Sequence, residues 1–179
     1  MAERNATDAE WVEAALERYE GPLLRYAARM LGDLESAQDV VQDTFLRLCK
    51  ANRSRMEDHL AQWLFTVCRN RALDILRKEQ RMTPATAAQV AAQATPPASP
   101  AASAQREEVH GHVVEALGAL PEKHQEVIRL KFQERLSYRE ISEITGNSVS
   151  NVGYLIHTGL KRIRAELDAV GRLEQEVSP

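Results

Sequence analysis

Long hydrophobic runs, cysteines and aromatic residues are all scarce in this 179-residue chain. No apolar run approaches the roughly 20 residues that span a bilayer, and the N-terminus lacks the apolar core of a signal peptide. We therefore expect a cytoplasmic protein. The two cysteines, Cys49 and Cys68, have no Cys or His nearby at metal-ligand spacing. This predicts two buried, reduced thiols and no metal site.

Catalytic signatures are missing as well. The sequence shows no nucleophile–base pair, no cluster of metal ligands and no Gly-rich phosphate loop. These absences argue against an enzyme with a helical active site, so we expect neither a cofactor nor a small-molecule substrate. Internal repeats are absent too.

Charge is unevenly distributed, although the formal net charge is only −3. Residues 1–46 carry four Lys or Arg against ten Asp or Glu, whereas residues 47–82 carry nine against four. An acidic segment followed by a basic one indicates two surfaces with different partners.

Apolar residues recur at steps of three and four along most of the chain, which predicts an all-α fold. Residues 83–105 contain no charged residue and are built of Ala, Pro, Gln, Thr, Ser and few others. Prolines there preclude a continuous helix, and nothing in the segment can build a core. The sequence thus predicts two small helical domains, 1–82 and 106–179, joined by a flexible linker. The second domain reads as a four-helix unit.

The first domain is predicted to begin with helices separated by turn signals. A capping box at Thr7–Glu10 opens the first helix, Gly21-Pro22 interrupts it, and Gly32 ends the next. Asp33 or Ser36 then caps a third helix with an apolar inward face: Ala37, Val41, Phe45 and Leu48. Its outward face is acidic, with two apolar residues at the margins: Asp39, Gln42, Asp43 and Arg47, then Val40 and Leu46. By itself this pattern indicates only a solvated helix face.

A long helix follows the polar segment Lys50–Asp58 and runs to about Arg81. Its predicted buried stripe is Leu60, Leu64, Val67, Ala72, Ile75 and Leu76. Its other side carries Trp63, Thr66, Arg69, Asn70 and Arg77. A tryptophan beside an amide and guanidinium groups suits unpaired nucleic acid, where a base stacks on the ring and its edge meets the amide. The alternative is that Trp63 packs against a neighbouring helix.

A helix-turn-helix is predicted near the C-terminus. Ser137 and Glu140 form a capping box, Gly146 suits a left-handed helix end, and Ser148 can cap the next helix. The second helix carries an apolar stripe: Val149, Val152, Ile156, Leu160, Ile163 and Leu167. The preceding helix is expected to pack against this unit through Val127, Ile128 and Phe132. An ordinary helical hairpin is the alternative.

In a helix-turn-helix the second helix enters the major groove of DNA. Amides and hydroxyls can meet base edges there, while Lys and Arg bind phosphate. The candidate contacts are Ser150, Asn151, Tyr154, His157, Thr158, Lys161 and Arg162, with Ser137, Tyr138 and Arg139 at the start of the first helix.

Three segments in this order resemble bacterial sigma factors of the extracytoplasmic-function type, which keep only the second and fourth sigma domains. They are Asp39–Leu48, Trp63–Arg77, and Leu117–Lys123 together with Leu136–Ile141. The resemblance covers nearly all the chain outside the linker and the first ten residues. It implies a subunit that binds core RNA polymerase, recognises promoter DNA and promotes its melting.

The resemblance also implies residue roles. The segment around Asp39, Val40, Gln42, Asp43 and Leu46 matches the helix that docks on core polymerase. The Trp63–Arg77 helix matches the one that melts and holds the minus-ten element, with Asn70 at the floor of a pocket for a flipped-out base. The segment 50–62 matches the loop that helps to select that base, and the C-terminal domain matches the reader of the minus-thirty-five element. Many family members are held inactive by an anti-sigma factor, which is therefore a further candidate partner.

The chain departs from the family at Gly153, Leu155 and Thr158, where related recognition helices usually carry basic residues. The usual mode of minus-thirty-five reading therefore does not transfer, and Asn151, Tyr154, His157 and Lys161 are the expected substitutes. The competing hypothesis for the whole chain is a stand-alone helix-turn-helix regulator with an N-terminal ligand or dimerisation domain. That hypothesis leaves the Trp63, Asn70 and Arg77 group without a purpose.

Overall fold

The computed structural model describes the backbone of residues 2–82 and 104–177, and the side chains of residues 8–81 and 110–170. All regular structure in these ranges is helical. The chain divides into two units, Met1–Pro96 and Pro97–Pro179. Most of the predicted linker, residues 83–103, lies outside the described residues, and Ala104 and Gln105 already belong to a helix.

In the N-terminal unit, α1 (Ala2–Leu31), α2 (Leu34–Lys50) and α4 (Leu60–Met82) pack against one another. A short helix, α3 (Arg53–Met56), and a 3₁₀ turn (Glu57–His59) connect α2 to α4. The core is closed by side chains from all three long helices, among them Leu23, Ala27, Val40, Leu48 and Phe65. The Phe65 ring meets the Tyr26 ring edge-on, with centroids 5.3 Å apart.

Two expectations for α1 were wrong. The helix is already formed at Ala2, so Thr7 lies inside it and does not cap it. The helix also continues through Pro22 without a break. An interior proline removes one backbone hydrogen bond and costs about 3 kcal/mol. The fully buried Leu23 and Ala27 directly after it anchor α1 in the core, and this packing outweighs the local cost.

The start of α2 follows the predicted pattern. Gly32 ends α1 with a positive φ of 72°, and its N–H donates to the Ala28 carbonyl. The Asp33 carboxylate then accepts from the backbone N–H of Ser36 at 2.7 Å, which lowers the pKa of Asp33. Ala37, Val41, Phe45 and Leu48 are all buried, as expected.

The buried side of α4 is rotated from the predicted stripe. Leu64 and Ala72 are buried as expected, but Val67 is half-buried, and Phe65 and Cys68 take the central positions. Burial raises the pKa of the Cys68 thiol to about 12. Cys49 is exposed, so the expectation of a second buried thiol was wrong.

The C-terminal unit contains α5 (Ala104–Gly118), α6 (Glu122–Phe132), α7 (Tyr138–Thr145) and α8 (Val149–Val177). α8 packs on each of the other three helices. Close approach of α6 and α8 occurs at Gly159, where an added Cβ atom would lie 2.6 Å from the Ile128 side chain. The core holds Val127, Leu130, Ile141 and Val152, whereas Phe132, expected to pack inward, is 56% exposed.

The apolar stripe of α8 is also rotated. Val152, Ile156 and Ile163 are buried as predicted. Val149 and Leu160 are exposed, and Leu155 is buried in their stead. Gly159, one turn after Leu155, lies against Ile128 of α6, so this side of α8 faces the core.

Candidate nucleic-acid and polymerase interfaces

One face of α4 gathers most of the predicted minus-ten residues. Trp63, Thr66, Asn70 and Arg77 are spaced by three, four and seven residues, which places them on one side of a helix. Trp63 and Thr66 are half-buried, and Asn70 and Arg77 are exposed. Arg69 is half-buried beside this face. We call these five residues the α4 face.

On the α4 face, one side chain is fixed to the helix backbone and another remains accessible to a partner. The Thr66 hydroxyl donates to the Gln62 carbonyl one turn earlier, at 2.7 Å. Arg77 forms an ion pair with Asp74 at 3.4 Å, and both side chains are more than half exposed. Exposed pairs of this kind contribute at most about 1 kcal/mol. A phosphate can therefore replace the carboxylate at Arg77 with little loss.

The segment before α4 was expected to be a polar connection. It forms a short helix and a 3₁₀ turn, and none of the residues in these two elements is buried. Asn52 caps α3 by accepting from the Ser54 N–H at 3.1 Å. The Arg53 guanidinium lies 5.8 Å from the centre of the Trp11 ring and pairs with Glu57 at 3.1 Å. These contacts hold the segment against α1 while its polar side chains stay at the surface.

The outward face of α2 is smaller than predicted. Asp39, Gln42 and Leu46 are exposed, with Leu46 at 55%. Val40 is fully buried in the core of the N-terminal unit, so the expectation that it meets a partner was wrong. Helical spacing explains the error, because Val40 shares the buried side with Ala37 and Thr44.

Asp43 has a second contact that the sequence did not indicate. Its carboxylate accepts from Arg47 on α2 at 3.3 Å, and it forms an ion pair with Arg71 on α4, also at 3.3 Å. Asp43 is thus a bridge between the two helices and a half-buried part of the α2 face. Arg71 was missed because its partner lies far away in sequence.

The helix-turn-helix has the predicted local geometry. Ser137 and Glu140 form a reciprocal capping box at the start of α7. Gly146 ends α7 in the left-handed region with φ 73°, which favours glycine. The Ser148 hydroxyl accepts from the Asn151 N–H at 3.2 Å and caps α8.

The N-terminal half of α8 exposes nearly all of its predicted contacts. Exposed side chains there are Ser150, Asn151, Tyr154, His157, Lys161 and Arg162, and Ser137, Tyr138 and Arg139 are exposed at the start of α7. We call this set the α8 face. The Asn151 amide donates to the Asn147 side chain at 2.9 Å. That contact orients an amide whose second N–H and carbonyl oxygen suit a base edge.

Thr158 stands apart from this set. It is half-buried, its hydroxyl donates to the Tyr154 carbonyl at 2.8 Å, and His124 of α6 lies 3.2 Å away. These contacts turn Thr158 toward α6, so it is not brought together with the exposed α8 residues. The sequence did not indicate that His124 and Lys131 of α6 contact the helix-turn-helix, because neither residue belongs to a motif.

The position of these residues explains the departure from the usual basic pattern. Leu155 is buried and belongs to the core. Gly153 lies beneath the Tyr138 ring, with Tyr138 Cε2 3.6 Å from the place of a Cβ atom. Packing within the unit thus accounts for uncharged side chains at Leu155 and Thr158, whereas a Cβ atom at Gly153 would make only ordinary contact with Tyr138.

Within the described ranges, no group of three or more His, Cys, Asp or Glu residues is placed to hold a metal ion. Over the same ranges, no helix is both long and apolar enough to cross a membrane.

The second helical unit contains a capped helix-turn-helix, a motif found in DNA-binding proteins. Two family models match the chain. The model for Sigma-70 region 2 covers residues 15–82, and the model for Sigma-70, region 4 covers residues 111–163. The first therefore covers α2, α4 and most of α1, and the second covers the helix-turn-helix.

Individual relatives agree with these matches. The chain is 30% identical to the RNA polymerase sigma factor CarQ of Myxococcus xanthus, over 86% of this chain and 85% of that protein. It is 26% identical to the ECF RNA polymerase sigma factor SigW of Bacillus subtilis (strain 168), over 83% and 84%. Among solved structures, CnrH in complex with the cytosolic domain of CnrY is 26% identical, with a TM-score of 0.55 and 94% of each chain covered. The sigma factor RpoE of Bartonella quintana, solved with the anti-sigma factor NepR, has the same fold: TM-score 0.57, 20% identity, 87% of this chain and 96% of that one.

The chain belongs to the RNA polymerase sigma factors, in the extracytoplasmic-function group. It binds core RNA polymerase and promoter DNA, and it initiates transcription at selected genes. The resemblance seen in the sequence is thereby confirmed.

Proposed function

We propose that the work of this sigma factor is divided among three surfaces. The α4 face holds the unpaired minus-ten strand, the α8 face reads the minus-thirty-five duplex, and the outward face of α2 docks on core polymerase. The observation that carries the proposal is the pairing of a half-buried Trp63 with an exposed Asn70 on one side of α4. We place the functional boundaries at residues 1–82 and 106–179, with residues 83–105 as the linker.

The α4 face favours a separated strand for a physical reason. Trp63 offers its indole ring for stacking, and Asn70 offers an amide to the edge of a base. A stacked base contributes about 1–3 kcal/mol, and inside a duplex both its faces and its pairing edge are occupied. Binding energy is therefore gained only by the open strand, which shifts the equilibrium toward melting. Arg69 and Arg77 supply charge for the backbone phosphates.

The ordered segment between α2 and α4 supports selection of the unpaired base. It is held against α1 by Arg53 and Trp11, and it buries none of its own residues. A surface segment held in place next to the start of α4 can test a flipped-out base without reorganising.

The α8 face suits a duplex because its side chains project from the helix. Ser150, Asn151 and His157 are exposed near the N-terminus of α8, where such helices meet base edges. Lys161 and Arg162 follow one turn later and are placed to bind phosphate. Thr158 joins α8 to α6 through His124 and has no direct role in this proposal.

On α2, Asp39, Gln42 and Leu46 form a mixed acidic and apolar surface for core polymerase. Asp43 acts twice, since its carboxylate also joins α2 to α4 through Arg71. Removing Asp43 therefore weakens the position of α4 as well as polymerase docking, whereas removing Asp39 affects docking alone.

The protein acts without catalysing a reaction of its own, in the cytoplasm where RNA polymerase operates. CnrH and the Bartonella RpoE were each solved with a partner protein, CnrY and the anti-sigma factor NepR. These complexes support an anti-sigma factor as a further partner of this chain. A stand-alone regulator is not favoured, because the region 2 match and the α4 face would have no use in it.

The test is transcription with purified components. Core RNA polymerase with the purified protein is incubated with genomic DNA fragments, and transcript ends are mapped. We expect initiation at a defined promoter set, and its loss with the Asp39→Ala variant at limiting protein concentration. The matched control is Glu35→Ala, an exposed acidic change in the first turn of α2. No promoter-specific initiation, with a known sigma factor active in parallel, would contradict the proposal.

A further inference from the structure

Gly153 of α8 has one close side-chain neighbour, Tyr138 of α7. The Tyr138 ring of α7 lies over it, with Cε2 and Cδ2 at 3.6 and 3.8 Å from the place of a Cβ atom. An alanine would make ordinary contact there, but a longer side chain would enter the space of the ring. An aromatic ring from α7 thus occupies the surface that a side chain at position 153 would otherwise cover.

The Tyr138 ring is held from the side of α6. The Lys131 ammonium lies 5.2 Å from the ring centre, a distance at which a cation is attracted to the ring. The same ammonium donates to the Leu136 carbonyl at 3.2 Å. Lys131 is therefore fixed to the α6–α7 turn, and the ring is held between this cation and the backbone of α8.

Tyr138 is nevertheless 39% exposed, and so it contributes to the surface. One turn before Gly153, on the same side of α8, Val149 is 47% exposed. Tyr138, Val149 and Gly153 contribute neighbouring apolar surface, which we call the notch because Gly153 adds no side chain to it. The notch is bordered on α8 by the exposed polar residues Ser150 and Asn151.

We propose that this notch receives the 5-methyl group of a thymine in the minus-thirty-five duplex. This inference rests on the proposed role of the α8 face. Thymine presents its 5-methyl group in the major groove beside the O4 acceptor, and no other standard base presents a methyl group there. The face of the Tyr138 ring and the Val149 side chain offer that methyl group apolar contact, and they offer no hydrogen-bonding atom to a donor or acceptor in its place. The notch therefore favours thymine at this position of the duplex.

Replacing thymine by deoxyuridine tests the inference, because it removes the methyl group and leaves pairing intact. The probe is a promoter duplex that the reconstituted holoenzyme itself selects from genomic fragments. Each thymine of the upstream element, on both strands, is changed to deoxyuridine in turn, and binding is measured by competition. Loss of one buried methyl group should lower the affinity about fourfold, and only at the one position whose thymine meets the notch.

Variants identify the residues responsible. Tyr138→Ala and Gly153→Leu should each bring the thymine-to-deoxyuridine ratio at that position to one, by removing the ring or filling its space. Tyr138→Phe should keep the ratio, because the ring remains. Phe132→Ala is the matched control, since it removes an exposed aromatic ring elsewhere in the same unit and should also keep the ratio. Circular dichroism confirms that each variant remains folded.

Three outcomes would overturn the inference: a ratio of one at every position in the wild type, an unchanged ratio in Tyr138→Ala, or an equal loss in Tyr138→Phe and Tyr138→Ala. The last would assign Tyr138 to a hydrogen bond through its hydroxyl. Asn151→Ala and His157→Ala separate this failure from that of the proposed function. If they weaken upstream recognition while the notch predictions fail, the α8 face stands and only the notch is wrong.

Discussion

The α4 face and the α8 face both carry asparagine, aromatic and basic residues, yet they differ in how those residues are held. On α4, Trp63, Thr66 and Arg69 are half-buried, and only Asn70 and Arg77 are exposed. On α8, Ser150, Asn151 and Tyr154 project from the surface. Similar residue types are thus built into a recessed surface in one unit and a protruding one in the other.

The difference teaches what each form of DNA requires. A single strand is flexible, and holding it in one shape costs entropy, so a pre-shaped surface that offers stacking is favourable. A duplex has a rigid groove, and side chains must reach into it to meet the base edges. In the proposed division of roles, the half-buried Trp63 pre-shapes the surface that holds the single strand.

The largest expected effect concerns the buried side of α4, which holds the α4 face in place. Phe65 is fully buried against Tyr26. Phe65→Ala should lower the free energy of unfolding of the N-terminal unit by about 3–5 kcal/mol, measured by denaturant titration. Leu46→Ala, on the exposed side of α2, should change it by less than about 0.5 kcal/mol. Similar losses in both variants would show that Phe65 is not part of a close-packed core.

A smaller effect separates the two faces directly. Trp63→Ala should reduce both the stability of the N-terminal unit and minus-ten binding, the latter by about 1–3 kcal/mol for one lost stacking contact. Asn151→Ala should weaken minus-thirty-five binding by a similar amount and leave unfolding unchanged. Melting curves and holoenzyme competition assays report the two quantities separately. A Trp63→Ala protein that melts as the wild type does would mean that Trp63 is not held by packing.

The smallest effect lies in the turn that joins α6 to α7. Arg135 has a φ of 59°, in the left-handed region that disfavours residues with a side chain, and no other non-glycine residue in the described ranges has a positive φ. Arg135→Gly should relieve this strain and stabilise the C-terminal unit by up to about 1 kcal/mol. Arg135→Ala keeps the strained backbone and serves as the control. If both variants have the same melting temperature, backbone strain at residue 135 is negligible.

The sequence predicted the features that depend on residues within one helical turn, and it failed for those that depend on packing between helices. The capping box at Ser137, the left-handed Gly146 and the N-cap Ser148 were all predicted, since each is settled by residues within one turn. The continuity of α1 through Pro22 was not, because it depends on core packing between helices. The rotated stripe of α8 had the same cause: Leu155 became buried through contacts with other helices, which residue spacing alone does not specify.

The same distinction between local pattern and helix packing applies to the residues of the candidate sites. Exposure of Asn70, Asp39 and Asn151 followed from helical periodicity. The inward turn of Thr158 did not, because it depends on where α6 lies. The bridge from Asp43 to Arg71 joins residues on two helices, and no local pattern indicates it.

The most direct test compares Asn70→Ala and Asn151→Ala on two templates, an ordinary linear promoter and one already mismatched across the minus-ten region. Open complexes are detected by permanganate footprinting. If Asn70 holds an unpaired base, Asn70→Ala should be impaired on the duplex and largely rescued on the mismatched template, where the melting cost of a few kcal/mol is removed. Asn151→Ala should lose upstream sequence preference on both templates. Equal defects of Asn70→Ala on the two templates would contradict the assignment of α4 to the melted strand.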